Sequence, residues 1–246
     1  MRDAKQGQQQ LSATVATHLR EKIISGALVK GEFLRIDTIA KTLGVSTTPV
    51  REGLLILQSE SLVTLIPRRG FMVSGVDDAD ILDLFWAQAT VGAELAARAT
   101  NKLSPEALER LEALNTQYLH AEQQQDHAAM DKAGHEFHRT INLAAGSPRL
   151  AALMGSLAKQ MSNRFYTNIQ GQADDALDYH PLILKALRLG DAASVRSLMF
   201  QHILNGGKHL VAMLEQQRQA NQPLGQTPAM TAPAATPATP TRAQLR

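Results

Sequence analysis

The 246-residue chain predicts a mainly α protein: an N-terminal unit of three helices and a β-hairpin, followed by an all-α antiparallel helical bundle. Three observations carry this expectation. Apolar residues recur near a 3.6-residue period over most of residues 11–220. One short β-branched run, Leu62-Val63-Thr64-Leu65-Ile66, turns at Pro67-Arg68-Arg69-Gly70 and returns as Phe71-Met72-Val73. Beyond Val76 no strand pattern follows.

Taken in order, residues 1–10 are polar and predict a flexible N-terminus. Leu11, Val15, Leu19, Ile23 and Ile24 mark a first helix that ends at Gly26, and residues 27–34 read as a loop. Ile36, Ile39, Ala40 and Leu43 mark a short second helix stopped by Gly44. Ser46, Thr47, Thr48 and Pro49 then supply the hydroxyls and the early proline that open a third, with Val50, Leu54 and Leu57 on its buried face. Two short helices meeting at a glycine, followed by a hairpin, define a winged helix-turn-helix over residues 11–75.

Residues 76–220 read as helices throughout. Asp77 to Asp80 open one that runs to about Ala99, where acids complement the helix dipole. Others start at Ser104-Pro105, near Met130, at Arg149 (to about Asn168), at Leu177 and near Asp191, with Gln170 to Asp175 as a polar loop. Together they predict one bundle. Residues 221–246 hold five of the ten prolines, interleaved with Thr and Ala, and predict a disordered tail.

Composition narrows the chemistry. Residues 1–75 carry ten Lys/Arg against six acids, and residues 76–220 carry thirteen against seventeen, so a head of +4 precedes a body of −4. That polarity fits a polyanion-binding head. The absence of cysteine excludes disulfides, thiolate metal sites and cysteine nucleophiles, and fits a reducing compartment. Residues 1–10 hold no apolar signal core, and no apolar run approaches the roughly 18 residues that span a bilayer. A cytoplasmic protein with no membrane partner is expected.

The stretch Leu43-Gly44-Val45-Ser46-Thr47-Thr48-Pro49-Val50-Arg51-Glu52-Gly53-Leu54, with Arg68-Arg69-Gly70-Phe71-Met72-Val73 behind it, resembles the GntR family of regulators. The resemblance implies sequence-specific binding to double-stranded DNA through Arg35, Ser46, Thr47, Thr48, Arg51, Arg68, Arg69 and Gly70. Elementary chemistry agrees with it. Hydroxyls and backbone N–H groups at a helix start bind phosphate oxygens. Arg51, one turn in, can reach a guanine edge. The wing arginines can follow the backbone or enter the minor groove. Family members often carry Arg where this chain has Thr47, which points to a different half-site.

Three stretches of the body resemble the FCD ligand-binding domain of the FadR subfamily: Glu94 to Ala99, Glu136-Phe137-His138-Arg139 with Ala144 to Leu150, and Tyr179 through His202. The resemblance implies a divalent metal, zinc or nickel, held by His138, His180 and His202. The usual fourth ligand, Asp or Asn, falls at Gly134, so the ligand set is incomplete and water or the effector would complete it. Neighbouring His135 points away, toward the surface. An Arg common in the first helix of such domains corresponds to Gln88, and its acidic partner to Gly92. Candidate effector contacts are Gln88, Arg139 and Asn163, and the ligand is a small metabolite such as an organic acid. A homodimer on a palindromic operator, acting as a repressor, completes the implied picture.

Two alternatives stand beside it. A three-His metal site with an open position could activate water in an enzyme, but no acid or base stands at fixed spacing beside the histidines, and Glu136 lies on another face of its helix. The departures at Gly134, Gln88 and Gly92 also admit a constitutive DNA-binding protein that has lost sensing.

Overall fold

The computed structural model describes residues 2–161 and 172–220. Its class is the expected one: a winged helix-turn-helix head and a helical body. The head contains α1 (Arg2–Ile24), β1 (Phe33–Leu34), α2 (Ile36–Leu43), α3 (Thr47–Ser59), β2 (Val63–Ile66) and β3 (Gly70–Val73). The body contains α4 (Asp78–Ala99), α5 (Pro105–Gln123), α6 (His127–Ala144), α7 (Pro148–Lys159), α8 (Gln172–Arg188) and α9 (Ala192–Ala220).

Several boundaries differ from the expectation. The first helix begins at Arg2 rather than near Leu11, so the N-terminal stretch expected to be flexible is helical. Its early turns are tied to α3, where Gln8 Nε2 donates to Glu52 Oε1 at 2.8 Å and the Ser12 hydroxyl also donates to Glu52. A polar stretch thus gains a partner that its own pattern does not reveal. The 27–34 loop contains a short strand, and the hairpin becomes a three-stranded antiparallel sheet of order β1-β3-β2. Phe33 pairs with Met72, and Val63 with Val73. The polar loop expected over Gln170 to Asp175 is helical from Gln172. The predicted helix end near Asn168 and the 221–246 tail lie outside the described residues.

Local chemistry explains most of the remaining elements. Gly44 adopts φ +66°, and its N–H reaches the carbonyls of Ala40 and Lys41, which closes α2. Asp77 and Asp80 form a capping box on α4. Ser104 caps α5 ahead of Pro105, and Asp126 caps α6. Apolar faces then build two cores. Val50, Leu54, Leu57, Phe71 and Val73 close the head over Val15 and Leu19. Leu95, Leu111, Phe137, Ile141, Ile183 and Met199 fill the body. In the head, Arg20 Nη2 and Glu60 Oε1 form a largely buried ion pair at 2.7 Å.

Head and body meet where Ile24 of α1 packs with Ile81 and Phe85 of α4 and with Leu210 and Leu214 of α9. The approach of α4 to α9 is close. A Cβ on Gly207 would stand 2.7 Å from Phe85 Cβ and 2.8 Å from its Cγ. A Cβ on Gly92 would stand 2.7 Å from Ile203 Cδ1. The Phe85 atoms lie at the root of the side chain and cannot swing aside, whereas Ile203 Cδ1 is a flexible tip. Gly207→Ala is therefore expected to destabilise the protein by about 1–3 kcal/mol through overpacking. Gly155→Ala, in α7 with nothing within 4 Å of the new Cβ, is expected to be neutral or to stabilise by up to about 1 kcal/mol. Urea denaturation of the two variants checks the pair.

Candidate DNA-reading surface and three-histidine centre

The head presents α3 by its start. Ser46 takes the N-cap position in extended conformation, but its side chain makes no capping hydrogen bond. The hydroxyl expected to cap the helix therefore leaves the first backbone N–H groups open to another acceptor. Ser46, Thr47, Thr48 and Arg51 are all exposed, while Pro49, Val50, Gly53 and Leu54 face inward. Gly53 is inward because a Cβ there would stand 3.0 Å from the Ser12 carbonyl oxygen and from Val15 Cγ1, so α1 lies directly behind α3. Arg35 is exposed at the N-cap of α2.

The wing separates its two arginines. Arg68 stands exposed at the turn with φ +63°, and Gly70 follows at φ +96°, a conformation that favours glycine. Arg69 lies with its guanidinium carbon 4.6 Å from the centre of the Phe33 ring. That stacking fixes Arg69 on β1, a restraint that only the unexpected strand makes visible.

In the body, α6, α8 and α9 bring His138, His180 and His202 together. One ligand atom from each lies within 4.8 Å of the others. His180 and His202 are 1% and 3% exposed, and His138 is intermediate. His138 Nε2 and His202 Nε2 stand 3.2 Å apart, and the two rings stack with centres 5.2 Å apart. His180 stacks on Phe137 at 4.2 Å and meets the edge of Tyr118 at 5.6 Å. Among the described residues, neither ring nitrogen of His180 has a hydrogen-bond partner. Burial, helped by the neighbouring imidazoles, pushes His138 down to about 3 and holds His180 well below the usual histidine range. Both rings are therefore neutral at pH 7, the form in which imidazole offers a lone pair. The unpartnered nitrogens of buried His180, beside the facing Nε2 atoms of His138 and His202, fit a divalent cation, as the resemblance implies.

The histidines border a cavity of about 580 Å³. Gln88, Gly134, His135 and Arg139 line it, as do Phe85 and Tyr118. Gln88 is buried, and its Nε2 donates to the Leu157 carbonyl at 3.4 Å. Arg139 and His135 are exposed at the edge. Asn163 lies outside the described residues. A Cβ on Gly134 would meet Tyr118 Cε2 at 3.4 Å, an ordinary contact, so packing does not force the missing ligand. At Gly92 a Cβ would meet Ile203 Cδ1 at 2.7 Å, a flexible tip that would have to move aside. Glu136 pairs with Arg110 at 3.3 Å, away from the histidines.

Sequence reasoning missed Asp175 and Asn205. Asp175 Oδ2 accepts from His202 Nδ1 at 2.8 Å, and Asn205 Nδ2 donates to Asp175 Oδ1 at 2.8 Å. The one available signal was the His202/Asn205 spacing, i and i+3 on one helix face. Asp175 carries none, because its polar neighbourhood reads as a loop.

A head that offers an open helix start beside a basic wing, joined to a helical body, fits one class: a winged helix-turn-helix transcription regulator with a second, helical domain. The family models agree. Residues 11–73 match the model of bacterial regulatory proteins of the gntR family, and residues 83–205 match the FCD domain. The chain belongs to the GntR family and carries the FCD domain of its FadR-like members. It is 26% identical over 202 residues to the HTH-type transcriptional repressor GlaR of Escherichia coli, covering 76% of this chain and 89% of that one. It is 41% identical over 71 residues to the gluconate operon transcriptional repressor of Bacillus subtilis, 29% of each chain. In fold it is similar to Escherichia coli McbR, with a TM-score of 0.62 and 24% identity over 85% of this chain and 98% of that one. The relatives are transcription regulators, not enzymes. No described helix is long and apolar enough to cross a membrane.

Replacing His180 by Phe removes both unpartnered nitrogens and keeps the stack on Phe137. Urea denaturation in EDTA is expected to show His180→Phe more stable than the parent by about 1–3 kcal/mol. A less stable variant would mean that the ring nitrogens are satisfied in solution.

Proposed function

We propose that the chain is a cytoplasmic transcriptional repressor that binds a palindromic operator as a homodimer and yields it to a small metabolite. The observation that carries the DNA-reading part is the uncapped, exposed start of α3. Phosphate oxygens would take the open N–H groups and the hydroxyls of Ser46, Thr47 and Thr48. Arg51 would read a base edge in the major groove, and Arg35 would hold the flanking backbone. Arg68 and Gly70 would lead the wing toward the minor groove, with Arg69 braced on Phe33.

The effector would occupy the cavity beside the three histidines. His138, His180 and His202 would hold a divalent ion, zinc or nickel. When bound, the ion supplies open positions that take a carboxylate or water. Gln88 would donate from the buried wall and Arg139 would attract an anion at the edge. The size and partly polar lining of the cavity favour sensing over the constitutive alternative. GlaR and the gluconate operon regulator are both named as repressors, which favours repression here. A dimer gives the effector its leverage, because both half-sites must be engaged together.

Fluorescence anisotropy with DNA from upstream of the chain's own gene tests the reading. Affinity is expected to fall steeply with salt and to exceed that for scrambled DNA. Arg51→Ala is expected to lose about 1–3 kcal/mol of that discrimination. Equal affinity for the two DNAs, or an unchanged Arg51→Ala, would contradict it.

A further inference from the structure

The carboxylate of Asp175 has no part in the family's implied ligand set, yet it is buried against it. Asp175 is 8% exposed, on the first part of α8. Its Oδ2 stands 2.8 Å from His202 Nδ1, and its Oδ1 receives Asn205 Nδ2 at 2.8 Å. A carboxylate at neutral pH only accepts hydrogen bonds, so the proton between Asp175 and His202 sits on Nδ1. In the neutral ring, the form that binds a metal, the other nitrogen then offers its lone pair. That nitrogen, Nε2, is the one 3.2 Å from His138 Nε2. Asp175 itself stands outside the trio whose donor atoms converge.

We propose that Asp175, held in place by Asn205, is a positioning residue for His202 and tunes the three-histidine centre for a divalent cation. The inference rests on the metal reading given above. It adds how this chain places negative charge near the ion although Gly134 has no side chain. The charge arrives through the His202 ring rather than as a direct ligand, and it raises the basicity of Nε2. The ring plane is fixed from two sides, because Tyr179 also stacks on His202 at 5.7 Å and 29°. His180 offers the contrast: among the described residues its nitrogens have no such partner, and ring contacts with Phe137 and Tyr118 orient it instead. Without the carboxylate, His202 could adopt the opposite tautomer and point an N–H at His138.

The test uses the full chain and zinc as the probe. Zinc affinity is measured by competition with a chromophoric chelator, for the parent, Asp175→Asn, Asn205→Ala and the exposed control Asp178→Asn. Asp175→Asn is expected to bind zinc roughly 10–100-fold more weakly. Asn205→Ala is expected to show a smaller loss in the same direction, and Asp178→Asn no change. Parent-like affinity in Asp175→Asn overturns the positioning role and leaves the metal centre standing. A parent that takes up no zinc overturns the metal centre and the positioning role with it. Long-range proton–nitrogen NMR of the metal-free parent gives a readout that needs no variant to fold. A His202 ring protonated on Nδ1 is expected, and one protonated on Nε2 overturns the proposal.

Discussion

The contact on which the rest of the molecule depends is the close approach of α4 and α9 at Gly207 and Phe85. It leaves no room for a Cβ on α9. It sets Phe85 into two places at once: the cluster that joins Ile24 of the head to Leu210 and Leu214, and the wall of the cavity beside the histidines. The same helix α9 carries His202 shortly before the glycines. A ligand that shifts α9 against α4 therefore acts on an element that also touches the head. Packed interfaces of this kind tend to hold discrete arrangements rather than deform smoothly. The cavity wall and the head thus share one packed element, α9.

Polar groups are generally satisfied in folded chains, and two of the exceptions among the described residues lie at the two surfaces assigned a role. Helices α4, α5 and α6 each start with a side-chain cap, from Asp77, Ser104 and Asp126. Helix α3 does not. Helices α2 and α7 also lack one; α3 adds the exposed hydroxyls of Ser46, Thr47 and Thr48 with Arg51 one turn in. Inside the body, among the described residues, His180 is buried with both ring nitrogens unpartnered, and His209 with its Nδ1 unpartnered. Burying imidazoles this way costs stability in the metal-free state, and burial together with the neighbouring rings holds His138 and His180 neutral.

The parts of the fold legible in the sequence are those fixed by short-range chemistry. Gly44 with its left-handed φ, the Asp77 box and the Pro67 to Gly70 turn each declare an element within a few residues. Elements that depend on distant partners were not legible. Strand β1 is two residues long and exists because Phe33 and Leu34 pair with Met72 and Phe71. The first turns of α1 are polar and gain their anchor from Glu52, far along the chain. The histidine trio was nameable from a resemblance but not from spacing, because its members lie on three helices. Asp175 was hidden by its polar neighbourhood, and its meaning appears only when His202 arrives beside it.

Zinc K-edge X-ray absorption of the zinc-loaded, full-length protein tests the central claim most directly, since it reads the atoms around the ion rather than a downstream effect. The expected spectrum shows a first shell of nitrogen and oxygen at about 2.0–2.2 Å with the multiple-scattering pattern of three imidazoles. A shell made of oxygens, with no imidazole signature, would contradict a metal centre built on His138, His180 and His202.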